Sequence, residues 1–309
     1  MPHWLIKSAV QRTISFLPRS HWWNELLQRK ITKSIELTEA RFEQRLGDAR
    51  LHLDRLFEFG APDPRRFSVL ELGTGWFPII PIALYLCGAA EIWTIDIVSH
   101  LNPQRVRATL ELFIKYAERG LLQKCIPRLL PERLAKLKEI CASAVAENVD
   151  SILGALDIHA LVRDAQHTGL SQEAIDLFIS SSVLEYIPKG VLANMLAEFK
   201  RIARSGAVHN HFINLGDEYA HFDRSITRFN FLKYPDWQWK FLDAPFTRKS
   251  RLRISEYREL FARAGWKIVR EENIDGSAQD LERIKLAPQF QKFSKEDLLV
   301  IKSWLIAKG

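Results

Sequence analysis

Two clusters in this 309-residue chain have the residue types and spacing for chemistry. The first is Gly73-Thr74-Gly75, with Asp96 following 21 residues after Gly75. Paired glycines let a backbone turn sharply and let a ligand approach closely. A carboxylate placed roughly 20 residues further on can accept hydrogen bonds from ribose hydroxyls. A dinucleotide site wants a third glycine three residues after Gly75, but Pro78 stands there, which removes support for a nicotinamide cofactor. The plainer alternative for Asp96 is a cap on the next helix. The second cluster runs from His209 through His211, Asp217, Tyr219 and His221 to Asp223. Histidine is the usual proton acceptor near neutral pH. His221 is therefore the first candidate base, with Asp217 or Asp223 to orient it, and His211 is the second. Tyr219, Phe222 and Trp237 offer rings for a cationic product. The competing reading makes one of His209 and His211 structural and sends Phe229, Phe231, Trp237, Trp239 and Phe241 into a core. The His and Asp spacing matches no metal motif, so no metal ligand is assigned.

These residues need elements to hold them. Phe67–Leu72 reads as a buried strand running into the glycine turn. A helix follows over Ile79–Cys87, with Gly88 at its end. Further strands are expected at 91–97, 159–163, 175–180 and 207–215, with a helix over 189–204. A helix (255–264), a strand (266–271) and a last strand (298–307) close the chain, the two strands forming a hairpin-like edge. Strands alternating with helices predict a mainly parallel sheet covered on both faces. Apolar spacing predicts a helix over 21–59, ended by Gly60, Pro62 and Pro64.

In order, Glu71-Leu72-Gly73-Thr74-Gly75, Asp96, Asp164-Ala165 and the run Asp176 to Pro188 resemble the motifs of class I S-adenosylmethionine-dependent methyltransferases, of the bacterial glycan or small-metabolite type. The resemblance covers residues 65–309. It implies a Rossmann-like three-layer α/β/α sandwich with a mainly parallel seven-stranded sheet. It also implies a helical cap or lid over 1–60, a methyltransferase domain over 61–309, a helical insertion about 101–157 and a substrate-side insertion about 216–250. It implies S-adenosylmethionine as cofactor and S-adenosylhomocysteine as product. Glu71 falls near the cofactor's amino-acid end, and Gly73, Thr74 and Gly75 form the loop beneath it. Asp96, with Ile97 after it, falls at the ribose, Asp164 and Ala165 at the adenine, and Ser181 and Ser182 beneath the transferred methyl. Trp76-Phe77-Pro78 after the turn departs from the pattern and reads either as shaping the pocket or as packing the following helix. The long 101–157 segment departs from it too.

Composition narrows the rest. With 47% hydrophobic and 26% charged residues the chain is globular rather than disordered. No apolar run approaches the ~20 residues that cross a bilayer, and no secretory signal is read. Three separated cysteines (Cys87, Cys125, Cys141) give neither a zinc cluster nor a disulfide framework, so a cytoplasmic setting is the default. The net charge of +7 is partly local. Residues 1–35 carry Lys7, Arg12, Arg19, Arg29, Lys30 and Lys33 against Glu25 alone, with Trp4, Phe16, Trp22 and Trp23 among them. That segment reads as a docked helix or lid, or as a peripheral membrane contact. Arg248, Lys249, Arg251 and Arg253 read as a solvated basic face or a grip on an anionic substrate group.

The loop after Ser180 lacks the pattern of DNA amine methylation, and no cysteine is placed for cytosine-C5 chemistry, so DNA is excluded as a partner. RNA is set aside because no RNA-binding motif accompanies the charge. The expected acceptor is a small molecule, a sugar or glycan, or a lipid-linked compound, methylated at oxygen with a His/Asp base. The alternatives are N- or S-methylation of a small metabolite without a base, RNA methylation, and a non-catalytic scaffold. The oligomeric state is left open.

Overall fold

The computed structural model describes residues 3–15, 36–64, 66–143, 148–243 and 249–309. Much of the basic aromatic stretch, including Trp22 and Trp23, lies outside the described residues.

The sheet is built around a strand buried on both faces. β1 (Phe67–Leu72) is an unbroken buried run, as a strand covered on both sides must be. It pairs in parallel with β2 (Ala89–Asp96) on one side and β4 (Ile175–Ser181) on the other. β3 (Ile158–Val162) lies outside β2, and β5 (Ala203–Asn214) lies outside β4. β6 (Lys267–Asp275) and β7 (Val300–Lys308) complete the order β3-β2-β1-β4-β5-β7-β6. β7 runs antiparallel to both of its neighbours, β5 and β6. The expected hairpin edge is therefore present, with the last strand inserted inside β6. The parallel pairing aligns the carboxyl ends. Leu72 sits beside Ile95 and Ser180, and Asp96 beside Val162.

One face is covered by α2 (Glu39–Phe59), α3 (Ile79–Leu86), α4 (Pro103–Glu118), α5 (Leu122–Cys125), α6 (Pro131–Ser143) and α7 (Val149–Gly154). The expected helical segment between the second and third strands is thus α4 to α7. The other face is covered by α8 (Lys189–Ile202) and α10 (Ile254–Arg263). α2 begins later than the spacing alone indicates. Residues 36–38 are non-helical, and the Thr38 hydroxyl accepts from Arg41 N at 3.2 Å as its N-cap. α3 is buried on every residue, so it is apolar all round rather than amphipathic.

A third apolar cluster lies beyond β5. Phe229, Phe231, Leu232 and Trp239 pack there with Phe290 and Leu298. α1 (His3–Ser15) docks on it by wedging Trp4 against Tyr219 and Trp239, with ring centroids 5.5 and 6.2 Å away. Trp4 N donates to Asp223 Oδ2 at 3.0 Å. α1 thus packs beside α9 (Asp236–Leu242), whereas α2 packs on the sheet. Of the basic run, Arg248 lies outside the described residues, and Arg251 and Arg253 are buried rather than part of a solvated face. Arg251 donates to the carbonyls of Phe231 (2.9 Å) and Tyr234 (2.7 Å). Arg253, 1% exposed, donates to the carbonyls of Leu215 (2.9 Å) and Leu298 (3.2 Å). Guanidinium groups are buried here because loop carbonyls need donors that the backbone does not supply.

Candidate cofactor site

The glycine turn stands at the carboxyl edge of the sheet because β1 delivers it there. Gly73 and Gly75 both have left-handed backbones, with φ of 74° and 71°. Gly73 N donates to Ile95 O at 2.9 Å, and Gly75 N donates to Asp96 Oδ2 at 3.2 Å, so the turn is tied to the end of β2. A Cβ on Gly73 would stand 2.4 Å from Val183 Cγ2, whereas a Cβ on Gly75 would meet nothing within 4 Å. The first glycine is needed for the fold of the loop. The second keeps open the space above it.

Two cavities flank this turn. The larger, about 420 Å³, is lined by Gly75 and Asp96 with Val98, His100, Leu101 and Val162. It joins one carboxylate to apolar walls. Burial raises the Asp96 carboxyl above its ordinary range, eased by the Gly75 N–H. The smaller cavity, about 230 Å³, is lined by Glu71, Gly73 and Ser181 and by Arg41 and Arg45 of α2. Glu71 is 4% exposed, and burial pushes its carboxyl up to about 8, against the pull of Thr74 and of the Arg45 charge. Glu71 Oε2 and Ser181 Oγ are buried with no hydrogen-bond partner among the described residues. Buried polar atoms are normally satisfied, so two orphans facing one cavity indicate that a polar ligand belongs there. Trp76 lines the smaller cavity and packs at a tilt against His100 of the larger, with ring centroids 4.2 Å apart and the Arg105 guanidinium 4.5 Å over its ring. The bulky departure after the turn is thus part of the wall.

Of the expected cofactor residues, Glu71, Gly73, Thr74, Gly75, Asp96 and Ser181 come together around these cavities. Ile97, Asp164, Ala165 and Ser182 lie outside both walls. Ile97 is 81% exposed. Asp164 accepts from Gln166 N and Nε2, both at 2.9 Å, and these bonds hold its carboxyl below the usual range. Ser182 has a left-handed φ of 59° and donates its N–H to Phe212 O at 2.9 Å.

The residues expected on the substrate side take different places. His211 is fully buried. Its Nδ1 meets Ser180 Oγ at 2.8 Å, and its Nε2 meets His209 Nδ1 at 2.8 Å. Burial pushes its pKa down to about 3, so it is a neutral core histidine here. His209 stacks on Phe178 at 4.5 Å. Tyr219 is buried and donates its hydroxyl to Asp243 Oδ1 at 3.0 Å. Asp217 accepts from Tyr219 N (2.8 Å) and Asn230 Nδ2 (3.2 Å), and Asp223 accepts from Trp4 N and from Ser225. Both acids thus hold loops. His221 is exposed, with Nε2 against Arg228 Nη1; burial and then that charge hold its pKa below the ordinary value.

Arg41, Arg45 and His100 also line these cavities, beyond the expected residues, and Trp76 does so as one of the two readings of the bulky turn allows. Their signal was an i, i+4 arginine pair on a helix and a bulky turn. Glu185 is a further buried carboxyl that its sequence context does not mark. It is 2% exposed, neither carboxylate oxygen has a partner among the described residues, and burial pushes it up to about 7. Among the described residues no group of three or more His, Cys, Asp or Glu side chains is arranged to hold a metal ion. Nor is any described helix long and apolar enough to cross a membrane.

The strand order with a single antiparallel strand, and a glycine turn tied to an acid at the adjacent strand end, make this a Rossmann-like three-layer α/β/α fold. No protein-family model matches the chain, and no curated protein does. Among solved structures the chain is similar to a geranyl diphosphate C-methyltransferase from Streptomyces coelicolor A3(2), solved with S-adenosyl-L-homocysteine. That match has a TM-score of 0.45 and 10% identity, and covers 84% of this chain and 77% of the other. It is also similar to an S-adenosylmethionine-dependent methyltransferase from Mesorhizobium loti, with a TM-score of 0.44 and 14% identity, covering 85% and 100%. At such distances a likeness of fold says nothing about the acceptor.

Proposed function

We propose that the chain is a methyltransferase that uses S-adenosylmethionine and methylates a small-molecule, sugar or lipid-linked acceptor. One observation supports this above the others: the two cavities on either side of the glycine turn differ in chemistry as the two ends of that cofactor differ. The smaller pairs a buried carboxylate with two guanidinium groups, which suits an ammonium and a carboxylate on one carbon. The larger pairs Asp96 with apolar walls, which suits a ribose diol and a purine. When bound, the cofactor supplies a methyl carbon on a sulfonium, open to in-line displacement. The protein's part is alignment of nucleophile and methyl carbon, exclusion of water and handling of the acceptor's proton.

Calorimetric titration with S-adenosylhomocysteine and with 5′-methylthioadenosine, which lacks the amino-acid end, tests the assignment. S-adenosylhomocysteine is expected to bind at least roughly tenfold tighter, because charge-assisted hydrogen bonds contribute about 1.5–3 kcal/mol each. Arg45→Met should remove most of that advantage and leave 5′-methylthioadenosine unchanged. Equal affinities in the parent protein contradict the assignment of the smaller cavity.

For the proton, methylation at oxygen needs a base. Burial and the Arg228 charge hold the His221 pKa below its ordinary value, and Glu185 is the buried carboxyl nearest in sequence to the Ser181–Ser182 loop. Methylation at nitrogen or sulfur is the second reading. It is favoured by Arg228, which occupies His221 Nε2, and by the enclosure of His211. Transfer of labelled methyl to hydroxyl, amine and thioether acceptors, with His221→Ala and Glu185→Gln, separates the two. A hydroxyl acceptor predicts that one variant loses about 10²–10⁴ in kcat with S-adenosylhomocysteine affinity retained. Near-normal turnover in both supports the base-free reading.

A further inference from the structure

Nine large apolar side chains stand exposed among the described residues, and five of them belong to one region: Ile6 and Val10 of α1, Trp237 and Phe241 of α9, and Phe222 in the turn after β5. Scattered single residues of this kind need no explanation, but such a concentration does. α1 turns Trp4 and Ser8 inward and presents Ile6, Ala9, Val10 and Thr13 to the outside, a face without charge. A helix docked on a water-soluble surface normally carries its polar residues there. The nearby cations border this surface. Lys7 Nζ lies 4.6 Å over the Phe222 ring, and the Arg12 guanidinium lies 5.5 Å over the Phe241 ring. The sequence after α1 contains Arg19, Trp22, Trp23, Arg29, Lys30 and Lys33, within a stretch of residues 1–35 that carries +5.

We propose that this face of α1 and α9 seats the protein on an anionic lipid surface, with Trp237 and Phe241 entering the headgroup–acyl boundary and the surrounding Lys and Arg meeting the lipid phosphates. Exposed aromatic and aliphatic side chains bordered by cations are the composition of an interfacial anchor. Basic side chains near an anionic leaflet add electrostatic attraction to that anchor. A second copy of the chain is the poorer occupant, because a symmetric contact would bring together the cations that border this face on each copy, Lys7 and Arg12. This inference does not depend on the methyl-transfer reading.

Flotation with vesicles of phosphatidylcholine, with and without about one third phosphatidylglycerol, tests it. The protein is expected to float with the anionic vesicles only, and roughly tenfold less tightly when salt rises from about 0.1 M to about 0.5 M. Trp237→Ser with Phe241→Ser, and separately Ile6→Ser with Val10→Ser, should each weaken binding at least roughly tenfold by removing apolar area. Their unfolding midpoints should not move, since these side chains are exposed. Absence of binding to anionic vesicles overturns the proposal, and so does equal binding to neutral ones. A dimer in sedimentation that the same substitutions dissolve also overturns it, by assigning the face to a second copy.

Discussion

Asp96→Ala is expected to weaken S-adenosylhomocysteine binding roughly a hundredfold. Two hydrogen bonds from ribose hydroxyls to a carboxylate contribute about 1.5 kcal/mol or more each, and about 1.4 kcal/mol is a factor of ten. Part of the loss comes through the loop, because Asp96 Oδ2 also accepts from Gly75 N at 3.2 Å. Asp96→Asn keeps the shape and one acceptor oxygen and gives up the charge, so a loss nearer tenfold is expected. Calorimetry reads both, and unfolding without ligand shows that the fold is intact. If the alanine variant binds as well as the parent, Asp96 only ties the turn, and the ribose lies elsewhere.

The second large effect separates the two glycines. Gly73→Ala places a Cβ 2.4 Å from Val183 Cγ2 on a backbone with φ of 74°. The left-handed conformation costs about 1–2 kcal/mol and the overpacking about 1–3 kcal/mol, so a loss of roughly 2–5 kcal/mol is expected. Gly75→Ala meets the conformational term alone, about 1–2 kcal/mol, because no atom lies within 4 Å of its Cβ. Gly75 lines both cavities, so its added methyl group should reduce S-adenosylhomocysteine affinity more than stability. Urea unfolding paired with titration distinguishes them. Equal stability losses in the two variants would mean that Val183 moves aside freely.

The parts of this structure legible in the sequence are those whose chemistry is local. β1 could be read residue for residue because burial on both faces favours a mostly apolar run, here Phe67, Val69, Leu70 and Leu72, and the turn after it because glycines mark left-handed backbone. The histidines of β5 misdirect for the opposite reason. A His-x-His pattern looks the same whether it faces a substrate or, like His209 and His211, fills a core beside Phe178 and Phe261. Arg251 and Arg253 look like a solvated run, and only the fold shows the loop carbonyls that call them inward. Arg41 and Arg45 could not be connected with Glu71 from the sequence. They stand on a different element, and the packing of α2 against the sheet brings them to the same cavity.

The most direct test of the central claim is thermal unfolding with and without S-adenosylhomocysteine, with NAD as the control. A ligand at about a hundred times its dissociation constant adds about 2.7 kcal/mol to the folded state. A clear upward shift with S-adenosylhomocysteine and none with NAD is the predicted result. No shift at saturating S-adenosylhomocysteine, or an equal shift with NAD, would contradict the assignment of the paired cavities to S-adenosylmethionine.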